Sequence, residues 1–346
     1  MKLFTGILMA AFLVAALTIT PGTVAQSGRA SQQKPQEPPQ DKRKRDDETI
    51  RIDTDLVTLA ATVTNERGRF AANLKRGDFS VYEDGVKQEL AYFETGEKVP
   101  ISLGILFDTS GSMVDKIEDV RDAIEHFVKS VAPGDEIFLI RFSSDAELVQ
   151  DFTDDRRRIL RAIDRLNPRG STALYDAILL GLQRVAGGKH NRRALMLVTD
   201  GNDTSSSVNL ETTLNLARKS EVIIYALGIG HGERGSFGHS GHDRGGIIFG
   251  RQIKDEVDMN VLRQFAETTG GEAFHLENAH AGKRDLVDEA AAQVAAELKQ
   301  QYLLGYYPSN TRKDGAFRQI KVELADKSLR VRTKRGYYAP RNKRGD

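Results

Sequence analysis

The sequence predicts an α/β protein: a doubly wound, mostly parallel sheet with helices on both faces, inserted in a small β-sandwich-like domain made of N- and C-terminal strands. Three observations predict it. Across residues 101–276, near-continuous apolar runs alternate with segments whose apolar residues recur every three or four positions. That is the pattern of strands buried on both faces between amphipathic helices. On either side of this region the apolar residues recur every second position, as in strands with one buried face. Each flanking β segment is too short to hold a sheet alone, so the two are expected to complete one domain together.

The elements follow in order. Met1 and Lys2 precede an apolar run over 3–17, and Thr23-Val24-Ala25 is a small-residue processing site. Residues 1–25 are expected to be a secretory signal peptide, cleaved before Gln26. The run is short for a membrane span, so no stable span is expected after cleavage. The protein is then exported, to the periplasm, the cell surface or the medium. Residues 26–48 are Gln, Pro and charge, a composition that cannot bury apolar surface and reads as a disordered linker. Its cluster Lys42-Arg43-Lys44-Arg45 lies beside acids and reads as part of a solvated tether.

Residues 49–98 form the first β segment. Val57, Leu59, Ala61 and Val63 alternate with polar or small residues; Phe79 and Val81 lead into Asp84-Gly85, a hairpin signal, and Leu90, Tyr92 and Phe93 follow. The α/β region spans 99–280. Strands are expected over 101–107, 136–142, 193–199, 222–229 and 272–276. Helices are marked by Val114, Ile117, Val120, Ile124, Phe127 and Val131, ended by Pro133-Gly134, then by Ile159, Leu160, Ile163 and Leu166, and by Leu174, Ile178, Leu182 and Val185. Two more cover 210–219 and the turn of Met259, Leu262 and Phe265, the latter closed by Gly270-Gly271. An alanine-rich helix occupies 283–300. The β pattern returns over 301–340, with strands expected at 302–307, 317–324 and 329–335. Tyr306-Tyr307 and Tyr337-Tyr338 are expected to pack this β domain.

Bulk composition excludes several classes. The chain has 346 residues, enough for about two domains. A net charge of +1 offers no electrostatic footprint for nucleic acid. There is no cysteine, hence no disulfide, no thiolate metal site and no lipid-anchor cysteine after the signal. An exported chain without disulfides relies on core burial, for which this length suffices.

The chemistry lies at the ends of the expected strands, where open parallel sheets bind their ligands. The run ISLGILFDTSGSM carries Asp108 off a buried strand, with Ser110 and Ser112 at alternate positions. ALMLVTDGND ends another strand at Asp200, and RGSTALYDAI places Thr172 where a helix begins. A carboxylate pair and three hydroxyls are oxygen ligands for a hard divalent cation. Each fragment alone has a plain structural reading, as a helix cap or a turn. Their combination on matching strands is what carries the metal reading.

In this order and spacing, DTSGSM, GSTALYDAI and LVTDGND resemble the von Willebrand factor type A (VWA) domain, over about half of the chain. The mature chain as a whole, with its C-terminal YLLGYYP and RGYYAP, is similar to a secreted VWFA-related family of acidobacterial type. The resemblance implies a metal-ion-dependent adhesion site. Ser110, Ser112 and Thr172 would ligate directly, and Asp108 and Asp200 directly or through water. Mg²⁺ suits a small hydroxyl-rich cage, and Mn²⁺ or Ca²⁺ use the same ligand type. An open position would take an Asp or Glu carboxylate from a protein partner. The expected function is therefore a non-enzymatic, exported, metal-dependent protein-binding module of the adhesion type. A metal-dependent hydrolase or phosphotransferase, or a scaffold with a purely structural metal, stays open as an alternative.

Weaker signals are Gly230, Gly232 and Gly235, which match a dinucleotide fingerprint but lack the helix it requires. Residues 231–258 make a long Gly/His-rich connector, expected to shape partner choice beside the metal. Within it, His231, His239 and His242 read as solvent-exposed rather than as a transition-metal site.

Overall fold

In a computed structural model that describes residues 56–230, 257–276 and 284–341, the chain enters through strand β1 (Val57–Thr64). Val57, Leu59, Ala61 and Val63 face its core side, as the alternation predicts. Strands β2 (Phe79–Glu83) and β3 (Val86–Gln88) form a hairpin across Asp84 and Gly85. Both turn residues have positive φ, 47° and 82°, the pair of values that matches a two-residue turn to strand twist. Strand β4 (Leu90–Thr95) then leads into the α/β region.

That region runs β5 (Ile101–Asp108), α1 (Ile117–Ser130), β6 (Glu136–Phe142), β7 (Ala146–Thr153), α2 (Arg156–Ile163), α3 (Leu174–Val185) and β8 (Arg192–Thr199). It continues α4 (Leu210–Lys219), β9 (Val222–Ile229), α5 (Met259–Thr269), β10 (Ala273–Leu276) and α6 (Arg284–Gln300). The six strands pair in the order β10-β9-β8-β5-β6-β7, and every pair is parallel except β6 with β7. β5 is central and buried at all eight positions. Leu103, Ile105 and Phe107 join a core with α1, α2 and α6, while Leu106 joins a second core with α3, α4 and α5. Each of these side chains contributes about 1.5–3 kcal/mol by leaving water. Gly104 is dictated by packing: a Cβ there would stand 2.2 Å from Phe138 Cζ and 2.6 Å from Leu195 Cδ2.

After α6 come β11 (Tyr302–Tyr306), β12 (Phe317–Leu324), β13 (Arg330–Arg332) and β14 (Gly336–Tyr338). Two antiparallel sheets result, β13-β1-β11-β4 and β14-β12-β2-β3. Early and late strands alternate in the first sheet, where β11 lies between β1 and β4, and meet once in the second, where β12 pairs with β2. They enclose one core that includes Leu59, Val81, Leu304, Tyr306 and Val322. The fold is thus the α/β architecture that the apolar periodicities predict.

A buried polar knot joins the sandwich to the α/β layers. Glu297 of α6, 1% exposed, accepts from Thr62 Oγ1 at 2.7 Å, Tyr225 Oη at 2.8 Å and Arg332 Nη2 at 2.6 Å. These partners lie on β1, β9 and β13, so one carboxylate ties both units together. Arg192 at the start of β8 adds bonds to Gln301 Oε1 and to the carbonyls of Gly96, Val99 and Leu298.

Four details differ from expectation. β7 is an antiparallel edge strand whose residues are exposed or half-buried, so its sequence lacks a core-facing period. Residues 329–335 are not one strand: β13 ends at Arg332 and the chain crosses to the other sheet as β14. Val114 precedes α1 and is 55% exposed. Tyr306 is buried and donates to Glu83 Oε2 at 2.8 Å, but Tyr307 is exposed, as strand alternation requires of its neighbour.

Candidate metal centre

Three loops meet at the carboxyl ends of β5 and β8 and the start of α3, and backbone bonds hold them in register. Thr109 N donates to Phe142 O at 2.7 Å, fixing the first loop to the end of β6. Gly111 N donates to Gly170 O at 2.9 Å, and Arg169 N to Thr109 O at 2.7 Å, joining the first loop to the second. Gly170 has φ +83°, and a Cβ there would reach within 2.5 Å of Ser144 Oγ. Thr172 O accepts from Thr204 N and Ser205 N at 2.8 and 3.1 Å, and Thr172 N donates to Thr204 Oγ1 at 2.9 Å. The third loop is thereby held on the second. Thr199 Oγ1 closes the ring by donating to Asp108 Oδ2 at 2.6 Å.

Asp108 ends the buried central strand and is 0% exposed. Its Oδ1 accepts from Ser110 N at 2.8 Å. The hydroxyls of Ser110 and Ser112 lie 3.0 Å apart. Burial first, and then the nearby Asp200 carboxylate, push the Asp108 carboxyl up to about 7, against the hydrogen bonds from Thr199 and Ser110. Asp200 is 5% exposed, and Thr172 is 4% exposed at the second loop's crest. The structure thus brings the carboxylates of Asp108 and Asp200 into electrostatic contact beside the serine pair, and ties the Thr172 loop to both. Two carboxylates pressed together out of water are an arrangement that a cation relieves.

The chemistry of the donor set fits a hard cation. Among the described residues, no group of three or more His, Cys, Asp or Glu could hold a metal. A metal at these loops therefore depends on hydroxyl oxygens, the ligand class of Mg²⁺ and its relatives rather than of soft metals. His231, His239 and His242 lie outside the described residues, as do residues 1–55 and 231–256 as a whole.

Four contributors were not legible in the sequence motifs. Lys116 is 1% exposed; its Nζ donates to Ile229 O at 3.0 Å and stands 3.9 Å from Asp200 Oδ2. Its signal was present: it sits four residues before Val120 and eight before Ile124, in line with the buried stripe of α1. Thr199 looked like a strand residue before the TDG turn. Asp203 receives Leu174 N at 2.9 Å, capping α3 from the third loop. Asp176 likewise accepts from Ser207 N at 2.9 Å and Val208 N at 3.1 Å. The extra carboxylates of the site loops thus have structural partners.

Among the described residues, no helix is long and apolar enough to cross a membrane. Known proteins are similar to parts of this chain. An uncharacterized protein of Borreliella burgdorferi is 26% identical over 191 residues, covering 54% of this chain and 55% of that protein. Inter alpha-trypsin inhibitor, heavy chain 4, of Mus musculus is 26% identical over 221 residues, covering 54% of this chain and 23% of that protein. The chain thus spans about half or less of the length of these relatives. Among solved structures, a von Willebrand factor type A protein from Catenulispora acidiphila is similar with a TM-score of 0.45 and 13% identity, over 85% of this chain and 76% of that one. The family model for the von Willebrand factor type A domain matches residues 103–289, which take in all three loops and the whole six-stranded sheet except its first two residues, and the chain belongs to that family.

Proposed function

We propose that the chain is an exported, metal-dependent protein-binding module that captures an acidic residue of a partner. Asp108, Ser110, Ser112, Thr172 and Asp200 would hold Mg²⁺, and the partner's Asp or Glu carboxylate would complete its coordination. The observation that carries this reading is the buried Asp108–Asp200 pair with the two serine hydroxyls, assembled by loops that bond to one another. Lys116 sharpens it. With both carboxylates ionised and the ammonium charged, a bound divalent cation leaves the cluster with one net positive charge. That charge favours an anionic ligand over a neutral one.

The sequence of the three loops supports a binding role over catalysis. Residues 108–116, 169–176 and 199–208 contain no His, Glu or Cys to act as general base or thiol nucleophile beside the ion. VWA domains are generally interaction modules, often metal-dependent, which agrees with that composition.

The test is binding of a short acetylated, amidated peptide containing one Asp, followed by NMR in Mg²⁺ and in EDTA, against the same peptide with Asn. Shifts of the 108–116 and 199–204 amides with the Asp peptide in Mg²⁺ alone support the proposal. Equal responses to both peptides, or a response that survives EDTA, contradict it. Metal-dependent turnover of a phosphate or peptide ester would replace it with an enzymatic role.

A further inference from the structure

The opposite end of the α/β sheet carries a second candidate site. At the amino ends of β8 and β9, between those strands and the outer face of the sandwich sheet, lies a cavity of about 280 Å³. That is close to the lower end of small-molecule sites, about 300 Å³. One wall is the sandwich: Leu56, Thr58 and Ala60 at β1, Leu303 of β11 and Tyr92 of β4. Gly305 shapes this wall, because a Cβ there would lie 2.9 Å from Tyr92 Cβ and 3.4 Å from Leu56 Cδ1. The other wall is Arg193, Val222 and Ile223 with the ends of α4 and α5.

The wall is mostly apolar, and its charged residues are unevenly satisfied. Arg192 is bonded to four acceptors through its terminal nitrogens, though its Nε has none, and Arg218 is bonded to Asn215 at 3.1 Å. Arg193 Nε is buried with no hydrogen-bond partner. Lys334 makes no hydrogen bond or ion pair with a described residue. Burial lowers its pKa, with only the exposed Glu221 opposing. The C-termini of α4 and α5 also face this region and offset part of the positive charge. Among the described residues, neither half-buried cation has a carboxylate hydrogen-bonded to it, although Glu221 lines the same cavity near Lys334; an anion entering beside the apolar wall would relieve both.

We propose that this cavity binds a medium-chain aliphatic carboxylate, its tail against Leu56, Ala60, Tyr92, Val222 and Leu303 and its head between Lys334 and Arg193. A neutral molecule of the same shape would leave both cations unsatisfied, so charge provides the selectivity. Binding there would bridge the sandwich and the α/β layers. It is independent of the metal loops, which lie at the other end of the strands.

The probe is octanoate, titrated calorimetrically into the full chain in EDTA, with octan-1-ol and octylamine as controls. One octanoate per chain is expected, with octan-1-ol at least about tenfold weaker and octylamine undetected, since a charge-assisted bond is lost in each. Lys334→Met should weaken octanoate about tenfold or more and leave octan-1-ol unchanged. Ala60→Phe, which fills the cavity from β1, should abolish binding, and melting and far-UV circular dichroism of the variant establish that it folds. Equal binding of octanoate and octan-1-ol, no octanoate binding, or unchanged affinity in Lys334→Met or in folded Ala60→Phe would each overturn the proposal.

Discussion

Replacing Glu297 should separate the two halves of the molecule energetically. Its carboxylate is 1% exposed and receives Thr62 Oγ1, Tyr225 Oη and Arg332 Nη2 at 2.7, 2.8 and 2.6 Å. In Glu297→Ala the Thr62 and Tyr225 hydroxyls lose an acceptor inside the protein, each at about 1–3 kcal/mol. Tyr225 is a donor rather than an anion here, because burial and then the adjacent Glu297 charge hold its phenol well above its usual pKa. Arg332 suffers less. It is 30% exposed and keeps Glu272 Oε2 at 2.9 Å and Gly270 O at 3.0 Å. Its share is therefore discounted towards the value of a surface pair, about 0–1 kcal/mol. These contributions together come to about 2–7 kcal/mol, a span centred on the about 3–5 kcal/mol lost when a buried ionic contact is broken from one side. That is a large fraction of a typical domain's stability, about 5–15 kcal/mol. Equilibrium urea unfolding, followed by both far-UV circular dichroism and tyrosine fluorescence, measures it. Glu297→Gln keeps the shape and one acceptor oxygen, so it should lose less than Glu297→Ala. A loss below about 1 kcal/mol in Glu297→Ala, or equal losses in the two variants, would show that the knot does not hold the halves together.

Two further predictions concern the sheet and the site. Gly104→Ala puts a methyl into Phe138 and Leu195 on the central strand, and should cost about 3 kcal/mol by overpacking in the same urea assay; a change under about 0.5 kcal/mol would contradict the packing. Asp108 should make the metal-free chain pH-sensitive. Folded, its carboxyl keeps a proton up to about pH 7, whereas in the unfolded chain it loses that proton near pH 4, at about 3.9. The folded state binds more protons in that window, so stability in EDTA should fall as pH rises from about 4 to about 7 and then level off. Asp108→Asn should lack that component, and identical pH profiles for the two proteins would refute it.

Most of the α/β layer could be read from the sequence because its strands are apolar along their whole length. β5 is buried at all eight positions and β9 at all eight, so neither needs tertiary knowledge to be recognised. β7 was not legible for the converse reason. As an edge strand it presents Leu148 and Val149 to solvent side by side and carries no alternation. The site residues Asp108, Ser110, Ser112, Thr172 and Asp200 were legible as fragments at strand ends. What holds them was less so. Thr199 bonds to Asp108 across 91 residues, and Lys116 reaches Ile229 across 113. Glu297 was invisible for the same reason. On an alanine-rich helix a glutamate reads as solvated, and only the arrival of Thr62 and Tyr225 makes it a buried hub.

The most direct test of the account is calorimetric titration of Mg²⁺ into the metal-free chain at pH 8, beside Asp108→Ala and Thr172→Ala. One Mg²⁺ per chain is expected, with no binding by Asp108→Ala and weakened binding by Thr172→Ala, whose melting temperature in EDTA should be unchanged. No Mg²⁺ uptake by the unaltered chain, or equal uptake by Asp108→Ala, would contradict it.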